Sequence, residues 1–132
     1  MKTSDLTGAA LDWAVAKCEG GYDLQLRSTY GSKTAWQYTV LDEEEPERMD
    51  KFYLSDTSYS TDWNLGGPII EREEIGFDCC EGPEETMWQA NTLRRNKKGL
   101  HVTRGPTPLI AAMRCFVASK LGDEVDVPEE LR

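Results

Sequence analysis

Apolar positions recur at helical spacing near both ends of the chain and at alternating spacing between them. Leu11, Ala14, Val15 and Cys18 fall at i, i+3, i+4 and i+7, which places them on one face of an α-helix. Thr7 stands where an N-cap is needed, Leu6 can staple onto Leu11, and Gly20-Gly21 closes the element. A second helix is marked more strongly. Thr107 is its natural cap, Pro108 fits the first helical position, and Gly122 ends it. Leu109, Ile110, Met113, Phe116, Val117 and Leu121 form its apolar stripe.

The middle of the chain reads as strands and turns. Asp23 to Arg27 alternates at period two, and Thr34 to Leu41 is rich in β-branched and aromatic residues. Lys51 to Leu54 reads as a third strand. Ser60 to Pro68 is predicted to be a long turn-rich loop, running into a strand over Ile69–Ile75 with Ile70 as its anchor. Gly76 to Glu85 reads as another loop. Thr86 to Ala90 and Leu100 to Thr103 read as strands joined by a basic turn, Arg94 to Gly99. Two helices and about five strands predict an α+β fold, with the helices on one face of a mostly antiparallel sheet. Nothing divides the chain, so 1–132 is expected to form one domain with an acidic C-terminal tail at 123–132.

Composition fits that picture. A chain of 132 residues buries roughly 65–70% of its unfolded surface and needs neither disulfide nor metal. No apolar run approaches the ~18 residues of a membrane span, and the first residues lack the pattern of a signal peptide. A place in the cytosol, with no membrane partner, is therefore expected. Cys18 and Cys115 fall on the apolar faces of the two helices, where a free thiol acts as a small hydrophobe. Adjacent Cys79 and Cys80 do not match zinc-ligand spacing, and His101 is the single histidine, so no metal or cofactor is expected. One thiol in and one out on a short strand is the simpler reading of the pair.

The net charge of −9 argues against direct nucleic-acid binding. Acidic residues cluster at 42–47, 71–74, 81–85 and 123–130. Against them, Arg94, Arg95, Lys97, Lys98 and Arg104 place five of the fifteen Lys and Arg residues within eleven positions. That basic stretch leads into Gly105-Pro106-Thr107-Pro108, the start of the second helix. Unpaired N–H groups and a partial positive charge suit such a start to phosphate, and the arginines would add charge-assisted contacts. The plainer reading is a routine Thr-Pro helix start beside a solvated turn.

A second candidate is the segment from Thr61 to Pro68. Gly66 and Gly67 would let backbone approach a ligand closely, Trp63 would stack a base, and Asp62 and Asn64 would meet ribose hydroxyls or base edges. Its plainer reading is a Gly-Gly-Pro turn with Trp63 pinned in the core. Together the two candidates describe a nucleotide-like ligand. Catalysis has weaker support. A triad would need His101 as its base, and neither a nucleophile elbow nor a Walker motif is present.

Three strings occur in order: Lys2 to Gly8 with Ala10 to Lys17, then Ser60 to Glu73, then Gly105 to Arg114 through Gly122 to Val125. Together they resemble the NinX-like family of small bacteriophage proteins over about half the chain. The resemblance implies a phage origin, a non-structural role and expression in the cytoplasm of the bacterial host, and it implies no established activity. With the candidate site, it leads to the expectation of a protein that sequesters a nucleotide-derived host immune signal. Two rival readings stand beside it. One is an acidic, DNA-mimicking inhibitor of a host nuclease or defence protein, using 42–47 and 123–130. The other is a small hydrolase using His101 with Asp62. A homo-oligomer is expected, because two copies enclose a small ligand better than one.

Overall fold

Helices form where a cap and a periodic apolar face coincide, and the described residues contain one more of them than the sequence predicts. The computed structural model describes residues 1–28, 34–41, 49–81, 86–92 and 101–131. Within these the elements are α1 (Gly8–Cys18), β1 (Gly21–Ser28), β2 (Thr34–Leu41), β3 (Met49–Tyr53), α2 (Trp63–Glu73), β4 (Gly76–Glu81), β5 (Thr86–Asn91), β6 (Val102–Gly105) and α3 (Pro108–Leu121). Short 3-10 turns lie at Thr3–Asp5, Leu54–Asp56 and Glu129–Leu131. The class is α+β, as expected, but the arrangement differs. The described residues form two three-stranded antiparallel sheets, β1-β2-β3 and β4-β5-β6, in place of one sheet of about five strands.

α3 is the centre of the fold. It packs against all three strands of the β4-β5-β6 sheet, against α1 and α2, and against the turn at Thr3–Asp5. Burial accordingly extends beyond its predicted stripe to Ala111, Ala112 and Ala118, and Cys115 is buried as expected. Small side chains on that wider face let neighbouring elements approach from several sides. Leu6 and Leu11 are both fully buried, as the staple requires, although Thr7 caps α1 by position without a side-chain hydrogen bond.

The predicted loop over 60–68 and the strand over 69–75 are instead mostly α2. Asp62 is its N-cap, with Oδ1 accepting the Asn64 N–H at 2.9 Å. Gly66 and Ile69 are buried, and Leu65, Ile70 and Glu73 lie at the edges of that face. Ile69 thus anchors the element, and Ile70 packs at the margin of the core. Pro68 lacks an N–H for the Asn64 carbonyl, but both residues are exposed, so water can supply that partner. Glu74 ends the helix in the left-handed region at φ 53°, and the Ile75 N–H donates to the Ile70 carbonyl.

The predicted loop from Gly76 begins as a strand. Its residues 76–81 pair along β5, with Phe77 opposite Ala90 and Cys79 opposite Trp88. Alternation was hidden because Asp78 and Cys79 are both exposed. Phe77 packs on the core and Cys79 reaches the surface. Burial pushes the Cys115 thiol up to about 11 and the Cys18 thiol up to about 12, consistent with inert packing roles. Burial is the first cause in both cases, and neighbouring Glu19 adds to it at Cys18. The predicted acidic tail is anchored, since Val125 and Val127 are buried.

α1 is tied to the approach to α2 by a buried carboxylate. Asp12 Oδ1 accepts the Ser60 N–H at 2.9 Å. Burial raises the pKa of Asp12 above its ordinary 3.8, and the contacts with Ser60 only partly oppose this. The folded state therefore holds the Asp12 proton more tightly than the unfolded chain does. The stability contributed by this group is fully present below the unfolded pKa and is lost as pH rises through the folded pKa. Asp12→Asn keeps an acceptor for Ser60 and removes the titration. Urea unfolding between about pH 3 and 7 should show the variant gaining on the wild type as pH rises. Parallel curves would show that Asp12 does not titrate differently on folding.

Candidate functional site

The start of α3 is built as the sequence predicts. Thr107 has extended backbone angles and its Oγ1 accepts the Ile110 N–H at 3.1 Å, while its carbonyl accepts the Ala111 N–H. Pro108 follows in the first helical position. Gly105 is buried because β6 ends against the helix backbone. A β-carbon there would lie 2.8 Å from the Ala111 nitrogen and 3.1 Å from Ile110 Cγ2. The glycine is thus explained by packing within the protein.

Beside this junction lies a cavity of about 490 Å³. Its walls come from the N-terminal segment (Lys2, Thr3, Ser4), from Met87 of β5, from Val102, Thr103 and Arg104 of β6, from Arg114 and Ala118 of α3, and from Asp123 and Glu124. Among the described residues β6 is an edge strand paired with β5, and three of its residues line this space. The opposite wall is held by a short ladder between the two ends of the chain. The Thr3 N–H donates to the Asp123 carbonyl at 2.8 Å, Thr3 Oγ1 donates to the Gly122 carbonyl at 2.7 Å, and Met1 and Val125 exchange backbone hydrogen bonds.

Arg114 is the most constrained polar group in the wall. Nε donates to the Leu6 carbonyl at 2.7 Å and Nη1 to the Arg104 carbonyl at 2.8 Å. Two of its five N–H donors thereby fix the guanidinium plane, leaving three. Burial lowers its pKa, with Asp5 opposing the shift, and the group keeps its charge. Among the described residues, neither Arg114 nor Arg104 has a carboxylate at ion-pair distance. A cation partly removed from water without an acidic partner favours any anion that reaches it. Sequence reasoning named Arg104 and missed Arg114. Its signal was a lone cation within the apolar run from Leu109 to Val117.

The second predicted cluster lies elsewhere. Asp62, Trp63, Asn64, Gly66 and Gly67 belong to the cap and first turns of α2, and none of them lines this cavity. Trp63 is 50% exposed rather than pinned in the core. Its ring lies 6.2 Å from Phe77, which in turn meets Trp88 edge-on at 6.1 Å. Gly66 abuts Leu109 in the first turn of α3, so the two predicted regions are neighbours joined by packing. Arg94 and Arg95 lie outside the described residues, as does the basic turn that contains them. Neither His101 nor Asp62 lines the cavity. Among the described residues, no group of three or more His, Cys, Asp and Glu converges to hold a metal ion, and no helix is long and apolar enough to cross a membrane.

The profile of the family described as Bacteriophage P22, NinX matches residues 2–120. That stretch takes in Arg104 and Arg114 and stops short of Asp123 and Glu124. No curated protein matches the chain.

Proposed function

The chain belongs to the bacteriophage P22 NinX family, and on that premise we propose that this phage accessory protein binds and sequesters a nucleotide-derived anionic small molecule in the cavity beside β6. The observation that supports the reading most is Arg114, with three free N–H donors at the wall of a cavity of about 490 Å³ and Arg104 next to it. Small-molecule sites commonly enclose ~300–1,000 Å³ and combine apolar walls with a few fixed polar groups. Met87, Val102 and Ala118 supply the apolar part here. Planar arginine forks suit phosphate because they donate along two parallel directions. Bacteria signal infection through nucleotide messengers, and a protein made in the host cytoplasm that holds such a messenger would blunt the response. Trp63 and the start of α2 are outside this site, and a homo-oligomer bringing Trp63 of one copy to the cavity of another would complete it.

Thermal unfolding against mononucleotides, cyclic dinucleotides and cyclic ADP-ribose derivatives tests the reading. A ligand at ~100 times its Kd should add ~2.7 kcal/mol, a shift of several degrees. Arg104→Ala, at an exposed side chain, should weaken the selected ligand about tenfold, or about 1.4 kcal/mol, by titration calorimetry. A flat panel would sink the proposal and turn attention to an acidic inhibitor of a host protein. Equal affinity in Arg104→Ala would remove that residue from the site.

A further inference from the structure

The cavity is charged differently at its two ends, and the separation follows from α3. Arg114, Ala118 and Gly122 succeed one another at four-residue intervals along one flank of the helix. Eight residues at ~1.5 Å each put Gly122 about 12 Å from Arg114 along the axis. Asp123 and Glu124 follow directly and line the far end. Both are exposed, and neither makes an ion pair with Lys2 or any other described cation, although Lys2 faces Glu124 across an isolated bridge. Ala118 lies between the two ends along the helix, and Met87 and Val102, the latter 45% exposed, complete the apolar lining.

An arginine fork offers only donors, and ionised carboxylates offer only acceptors. A ligand that matches both ends carries an anion at one extremity and N–H donors at the other, with a flat apolar body between. Resting on the reading of this cavity as a nucleotide site, we infer that the phosphate lies on Arg114 and Arg104 while an amino-bearing base presents its exocyclic amine to Asp123 and Glu124. The pairing is the one by which Asp and Glu accept from the cytosine amine in base recognition. A base that turns a carbonyl oxygen to the same carboxylates is repelled. The site therefore discriminates adenine from hypoxanthine and cytosine from uracil, pairs that differ in an amine against an oxygen.

Titration calorimetry of the full chain compares adenosine with inosine 5′-monophosphate and cytidine with uridine 5′-monophosphate. Cyclic dinucleotides of adenine and of hypoxanthine are run beside them. The amino member of each pair should bind about tenfold more tightly. In the Asp123→Asn, Glu124→Gln double variant the ratio should fall to near one, because each amide offers a donor as well as an acceptor. The ladder with Met1 and Thr3 uses backbone atoms of this segment, so the variant should fold, which unfolding of the free protein checks. Equal affinities within every pair would overturn the inference and leave anion binding standing. A preference that survives in the double variant would overturn the acidic end as its source. Absence of binding in all series would overturn both this inference and the site it rests on.

Discussion

Phe116→Ala is expected to lower the unfolding free energy by about 3–5 kcal/mol, the range for removing a fully buried aromatic ring. Phe116 is 1% exposed, the largest of the fully buried side chains, and sits in the helix that packs on α1, α2 and all three strands of the β4-β5-β6 sheet. Because α3 is packed on several sides, its neighbours have little freedom to collapse into the space left behind. The ring also lies under the Arg72 guanidinium, 5.7 Å from centroid to carbon, and Arg72 in turn pairs with Glu19 and Glu73. Losing the ring therefore also removes a surface on which a link between α1 and α2 rests. Domains of this kind commonly have only ~5–15 kcal/mol in total, so the variant should unfold at much lower urea concentration and more than about 10 °C earlier. Arg72→Ala isolates the cation's share, expected at about 0.5–1 kcal/mol for so exposed a group. A loss below about 1 kcal/mol in Phe116→Ala would contradict the central position of α3.

Adjacent glycines in α2 should respond in opposite directions to alanine. At Gly67 a β-carbon meets nothing within 4 Å. Alanine there should stabilise the protein by up to about 1 kcal/mol, the usual difference between the two residues within a helix. At Gly66 the same atom would lie 2.5 Å from Leu109 Cδ1 and 2.7 Å from the Tyr59 carbonyl oxygen. The leucine tip can turn aside, but the backbone oxygen cannot, so the first turn of α2 must move away from the Tyr59 backbone. Overpacking of this kind costs about 1–3 kcal/mol, enough to reverse the gain in propensity. Differential scanning calorimetry on the two single variants settles the comparison. Equal melting temperatures would mean that Gly66 does not seat against the Tyr59 carbonyl and Leu109.

The same two glycines explain why α2 was illegible. Gly-Gly-Pro preceded by Asp and Asn is the vocabulary of turns, and Ile69-Ile70 followed by charges suits a strand. The helical signal was present in the spacing of Leu65, Ile69 and Glu73 after an Asp62 cap, but one of its key contact positions is Gly66, which carries no hydrophobic side chain to count. The close approach that makes glycine necessary is a tertiary fact and leaves no local pattern. α1 and α3 were legible for the opposite reason, since caps, stripe and terminator agree at each. Strand pairing was harder. β2 was found with its observed limits, whereas β4 owes its form to β5 and not to its own alternation. At the candidate site, Arg104 and the helix start were legible as local features. Arg114 was hidden because its role depends on the carbonyls of Leu6 and Arg104, which are 108 and 10 residues away in the chain.

The ladder that joins residues 1–3 to residues 122–125 sets a clock on the protein. Ribosomes add about 5–20 residues per second, so roughly 6–24 s separate the synthesis of Lys2 from that of Glu124. The two residues face one another across the cavity wall, and neither can be placed before the other exists. Early intermediates on the ribosome would have no finished pocket, whatever part of α1 or the first sheet had already formed. The cavity wall of each copy can close only after residue 124 is available, at least that interval after residue 2 is made.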